Sequence, residues 1–89
     1  MIMLEVCRFY GIIIRMFFRD HLPPHFHVEC AEYKAKINII DGEIIDGSLP
    51  SKTLRLVQAW VEIHRDELLI NYEQSLKDGG IISRIEPLK

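Results

Sequence analysis

The alternation of apolar and polar residues changes period once along the chain, near residue 48. Before that point the pattern is β-like. Phe9 to Phe18 is dense in β-branched and aromatic residues, with no helix stop signal, and predicts a strand. Asp20 to Pro24 must be a turn, because Pro23 and Pro24 cannot donate to a ladder and Pro23 holds Leu22 extended. His25 to Cys30 alternates, with His25, His27 and Glu29 on one side and Phe26, Val28 and Cys30 on the other. Tyr33 to Ile39 alternates again after a tight turn at Ala31-Glu32. Asp41-Gly42 then predicts a hairpin into a short strand at Glu43 to Asp46.

After Gly47 the period becomes helical. Ser48 and Ser51 are candidate caps, and Pro50 suits a first turn. Leu54, Val57, Trp60, Val61, His64, Leu68, Tyr72 and Leu76 form one apolar stripe. Unbroken to Asp78, that helix would be about 40 Å long, too long for so small a domain. A break or kink is therefore expected near His64-Arg65, with a second helix starting at Asp66-Glu67. Asp78-Gly79-Gly80 ends the helical part, and a tail follows, with an edge strand before Pro87 as one form it could take. The fold class expected is α+β: a small antiparallel β-meander of about four strands, packed on one face by two C-terminal helices. Residues 1–89 are expected to make a single domain, with a β half at 8–47, a helical half at 50–78 and a tail at 79–89.

Pairing Ala31-Glu32 as a two-residue hairpin places Glu29 opposite Lys34, His27 opposite Lys36 and His25 opposite Asn38. For the first strand, the register that buries Ile12, Ile14, Met16 and Phe18 turns Arg15, Phe17 and Arg19 to the histidine side. A one-residue slip would bury two arginines. The face expected opposite the helices thus carries His25, His27, Arg15, Arg19, Glu29, Lys34 and Lys36, with His21 at its rim.

Composition limits what that face can be. With 48% hydrophobic and 27% charged residues the chain is of ordinary globular make-up, not a disordered one. Its net charge is −2, with five Lys/Arg against four Asp/Glu in residues 1–40 and six against nine in residues 41–89, so any basic surface belongs to the first half. Two cysteines, Cys7 and Cys30, make no disulfide framework. The apolar Met1–Leu4 lacks a basic lead and a cleavage site, and Arg15 interrupts the longest apolar run, so a reduced cytoplasmic location with no membrane association is expected.

Three readings of the histidine face compete. His25 and His27 could act as acid and base on a phosphodiester, with Arg15, Arg19 and Lys36 on the phosphate, Asp20 and His21 beside them, and no cofactor. Alternatively His21, His25 and His27 could bind Zn or another divalent metal, with Asp20 able to replace His21 as the ligand from the turn. Against the metal, Lys36 opposite His27 puts a cation beside it. The third reading is structural: imidazoles beside Pro-Pro stiffen the turn, Glu29–Lys34 is an ordinary cross-strand pair, and the face at most docks a partner. Trp60 and Tyr72 belong to the core, Cys30 reads as an inert buried thiol, and His64 suits a hinge or core hydrogen bond better than catalysis.

Arg8 to Phe18, Asp20-His21, Pro-Pro-His-Phe-His-Val28, Glu32 to Ala35, Leu49-Pro50, Leu54 to Val57, Trp60, His64 to Leu69 and Ile85 to Leu88 together resemble the small bacterial proteins grouped as the Domain of Unknown Function 4160 family. The His-x-Pro-Pro-His-Phe-His-Val element is the specific part. The first seven residues, and Phe18 in place of Tyr, depart from the pattern. The resemblance marks Arg15, Asp20, His21, Pro23, Pro24, His25, His27, Trp60 and His64 and gives none of them a role. It implies a gene neighbourhood similar to toxin–antitoxin modules. This chain would then be the toxin-like member, with a small neighbour-encoded protein as partner and RNA as a possible target.

Overall fold

The computed structural model describes residues 2–89. Five strands, not four, form one antiparallel meander in sequence order: β1 (Met3–Phe9), β2 (Ile12–Phe17), β3 (His25–Cys30), β4 (Tyr33–Asn38) and β5 (Ile44–Gly47). One helix, α1 (Ser51–Ser75), follows them and covers one face.

The additional strand is β1, and its pairing explains why alternation hides it. Glu5 pairs with Arg15 and Cys7 with Ile14, so Val6 is an extra residue in a bulge. Val6 and Cys7 are both buried as a result, which breaks the period of two. The turn into β2 is Tyr10-Gly11, both at positive φ, within the stretch expected to be one continuous strand. On β2 the inward residues are Ile12, Ile14 and Met16, as the preferred register requires, and Phe18 is half-buried against the same core.

The β3–β4 hairpin has the expected register throughout, from Cys30 opposite Tyr33 to His25 opposite Asn38. Its inner face differs at the open end, where Tyr33 is exposed and Cys30 half-buried. The β4–β5 connection is longer than a two-residue turn. Asn38 accepts from Gly42 N–H at 2.8 Å and donates to the Glu43 carbonyl at 2.9 Å, enclosing Ile39 to Gly42. Gly42 takes the positive φ, and the Asn38 and Asp41 carboxamide and carboxylate oxygens accept from Ile40 and Glu43 N–H.

Two C-terminal helices were expected, and there is one of 25 residues. At 1.5 Å per residue it is about 37 Å long, and the molecule's longest dimension is 37 Å, so the helix fits along it. It leaves regular geometry at His64 (φ −116°, ψ 18°), where a break or kink was expected, without separating into two helices. Pro50 occupies the N-cap position, and no side chain caps that end. The helix seats Val57, Trp60, Val61, Leu68 and Tyr72 on Val6, Phe26, Val28 and Ile37 of the sheet. Beyond Leu76 the chain forms no edge strand. It runs back along the helix, with Asn71 bonded to Ser83 through both its amide groups, Trp60 Nε1–H donating to the Glu86 carbonyl at 2.8 Å, and Ile85 N–H to Val6. Among the described residues no helix is long and apolar enough to cross a membrane.

Candidate functional site

The histidines meet where the β2–β3 connection closes over the start of β3. This connection is fixed at several points. Arg19, at positive φ, donates its N–H to the Ser75 carbonyl at 2.9 Å. Tyr72 Oη–H donates to the Asp20 carbonyl at 3.1 Å, and Ile39 N–H to the Pro24 carbonyl at 3.0 Å. The Leu22–Pro23 peptide is cis. Residues far apart in sequence thus hold Asp20 over β3.

Asp20 is the centre of the cluster. His25 Nε2 lies 2.8 Å and His27 Nε2 3.0 Å from its Oδ2. Its Oδ1 accepts from the His21 backbone N–H at 3.1 Å and has His21 Nδ1 at 3.3 Å. The His25 and His27 ring centroids are 5.1 Å apart. Burial by itself would raise the Asp20 carboxyl. The hydrogen bond to His27, the charge at His25 and the His21 N–H outweigh it, and the group sits below the usual aspartate value. Burial also dominates at His27. It lowers the imidazole below its usual value, with the His25 charge adding to that effect against the pull of Asp20.

The three expected catalytic histidines differ in access. The His25 side chain is 1% exposed, that of His27 29% and that of His21 77%. Alternation places His25 on the outer face of the sheet, and so it is, but the β2–β3 connection buries it. Its Nδ1–H donates to the Pro23 carbonyl at 2.7 Å while Nε2 faces Asp20. Both ring nitrogens of His25 are thus engaged by oxygens of the β2–β3 connection. His21 is at the rim, as expected. His27, like His21, touches both the cluster and the open surface, and Phe17 lies against it edge-on at 4.5 Å.

The expected anion-binding residues divide in the same way. Arg15 lies directly opposite His27 on β2, pairs with Glu29, and has a buried Nε without an acceptor among the described residues. Lys36 lies opposite His27 on β4. Arg19 does not join them: its positive φ turns the side chain to Asp78 beyond the helix. Asp20 sits inside the histidine cluster and not on the cationic surface. One row of side chains therefore crosses all five strands, Glu5–Arg15–His27–Lys36–Asp46, each opposite the next. In front of it is a depression of about 470 Å³, lined by Arg15, Phe17, His27, Lys34, Lys36 and Asp46 among others.

His64 lies at the helix kink against Trp60, with Nδ1 2.6 Å from Glu67 Oε1. Two contributors escape sequence reasoning. Tyr72 belongs to an ordinary apolar stripe that gives no hint of its bond to Asp20. Asp46 becomes the end of the row only once the register shift between Lys36 and Ile37 is known.

A family model described as "Domain of unknown function (DUF4160)" matches residues 11–73. The match begins in the β1–β2 turn and takes in Asp20, every histidine and Trp60. Comparison with curated proteins and with solved structures gives no match.

Proposed function

We propose, since the chain belongs to the DUF4160 family and that family's description assigns no chemistry, a function built on the outer face of the sheet. The protein acts on RNA, as the toxin-like member of a two-protein module, and seats a phosphate in front of His27. The observation that carries this reading is the cross-sheet row, in which a partly exposed imidazole is flanked on both sides by cations. Neighbouring strands are about 4.8 Å apart, so Arg15 and Lys36 are spaced to reach one phosphate from two sides. Glu29 neutralises part of the Arg15 charge, whereas Lys36 makes no ion pair among the described residues. Lys36 is therefore the principal anion contact and Arg15 the second. With His25 enclosed, His21 and His27 are the histidines that reach the surface from the cluster, and of these His27 stands in the cross-sheet row. Phe17, edge-on to it, gives the depression an apolar wall for a base or sugar.

Single-stranded RNA binding, measured by fluorescence anisotropy over a series of salt concentrations, tests the proposal. Affinity should fall with salt, and Lys36→Ala should weaken it and flatten the log–log slope by about 0.7, the share of one phosphate contact. Lys52→Ala, on the first turn of the helix, should leave both unchanged. Absence of binding at low salt, or equal effects of the two substitutions, would exclude the RNA reading and favour a face that only docks a protein. In cells, growth arrest by the wild-type protein should be relieved by Lys36→Ala.

A further inference from the structure

We propose that Asp20, His25 and His27 form a binding site for a divalent transition-metal ion such as Zn²⁺, with one carboxylate oxygen and two imidazole Nε2 atoms as ligands. A proline carbonyl can only accept, and His25 Nδ1 lies 2.7 Å from the Pro23 oxygen, so Nδ1 carries the hydrogen. A neutral ring then has its lone pair at Nε2. That atom is 2.8 Å from Asp20 Oδ2, and a carboxylate oxygen has no hydrogen to give. Two lone pairs face each other in a nearly closed place, and a positive charge must join them. His27 brings a third donor atom to the same oxygen at 3.0 Å.

The geometry suits a metal ion. One donor atom from each of the three residues lies within 4.8 Å of the other two. Bonds of about 2.0–2.2 Å in a tetrahedral set hold neighbouring ligand atoms roughly 3.3–3.6 Å apart, so the two imidazoles need to draw back from the Asp20 oxygen by only about 0.5 Å to admit an ion. Two imidazoles and one carboxylate are a set that Zn²⁺ and Fe²⁺ both accept. The His25 Nδ1–H bond to a backbone carbonyl is the device that commonly orients metal-bound imidazoles. The backbone that carries the carboxylate is already anchored, by Tyr72 Oη–H on the Asp20 carbonyl and by the Arg19–Ser75 backbone bond. Of the neighbouring cations, an obstacle when read from sequence, Arg15 is paired with a carboxylate and Lys36 has one across the strand without an ion pair. Glu29 pairs with Arg15, and Asp46 lies opposite Lys36. Three protein ligands leave at least one coordination position, on the side where His27 and His21 reach solvent.

The site shares His27 with the proposed anion face, but Asp20 and His25 belong to it alone, and metal uptake reads it separately from RNA binding. The test uses the full chain, purified without a histidine tag, stripped with a chelator and titrated with ZnCl₂ by calorimetry near neutral pH. Co²⁺ serves as a second probe, reporting ligand geometry through its visible absorption. The expected result is one equivalent of Zn²⁺ per chain, with a dissociation constant of about 1 μM or lower. His27→Ala, whose ring is partly exposed, should remain folded by near-ultraviolet circular dichroism. It should lose more affinity than the ten- to hundred-fold that removal of an outer hydrogen-bond partner costs. Asp20→Asn should behave alike where it folds. No stoichiometric uptake by wild type, or unchanged affinity in folded His27→Ala, would overturn the proposal and identify the joining charge as a proton on His25.

Discussion

Trp60→Ala should leave this protein close to unfolding at room temperature. Trp60 is fully buried and packs on Phe26 and Phe9, each with its ring centroid 5.8 Å away, and on His64 at 5.5 Å. Truncating such a ring costs about 3–5 kcal/mol through lost transfer energy and the cavity left behind. The Glu86 carbonyl also loses its donor, which releases the tail from the helix. A chain of 89 residues has a total stability of only about 4–13 kcal/mol at the usual 0.05–0.15 kcal/mol per residue. Urea unfolding followed by far-ultraviolet circular dichroism should show the transition moved to a fraction of the wild-type midpoint, with Trp60→Phe in between. A shift as small as that of a surface substitution would mean that the tail and the sheet pack without the indole.

The second large effect belongs to Asp20. Asp20→Ala removes the oxygen at which two imidazoles meet and leaves His25 Nε2 buried without a partner. In the metal-stripped protein this should cost about 3 kcal/mol, in the range for breaking a buried charged pair. His27→Ala should cost less than about 1 kcal/mol, because Asp20 keeps His25 and the His21 N–H, and a half-exposed ring loses little burial. The difference depends on pH with a definite sign. Asp20 is held below its ordinary value of 3.8 in the folded protein, so its stabilisation is present above that pH and is lost as pH falls through the lowered value. Urea midpoints of wild type and Asp20→Ala should therefore converge in acid. Equal costs for the two substitutions at neutral pH would show that His25 finds another acceptor.

Which parts of this architecture could be read from the sequence follows from how local each determinant is. The β3–β4 register was legible because a two-residue turn and two clean alternations fix it together. The inward set on β2 was legible because the other register buries arginines. β1 was hidden because the bulge at Val6 puts two successive residues inside, and because Tyr10-Gly11 lies between runs of equal hydrophobicity. The length argument called for a break or kink near His64-Arg65, and the helix does leave regular geometry at His64, but it continues as one element to Ser75 because the molecule is 37 Å long. At the site, period two placed His25 and His27 on the same side correctly. It carries no information about the segment that covers His25, or about Tyr72, 52 residues after Asp20. Arg19 went astray because its backbone conformation, unlike that of Arg15, is set by docking to the helix end.

His25 is locked between Pro23 and Asp20, while His27 and His21 face water. Nuclear magnetic resonance of the imidazole N–H protons tests this directly, because ring protons are seen in neutral water only where exchange is slow. The predicted result is a persistent resonance for His25 Nδ1–H, protected for as long as the fold persists, and none for His21. A His25 ring whose protons exchange with solvent as fast as those of His21 would contradict the cluster and everything built upon it.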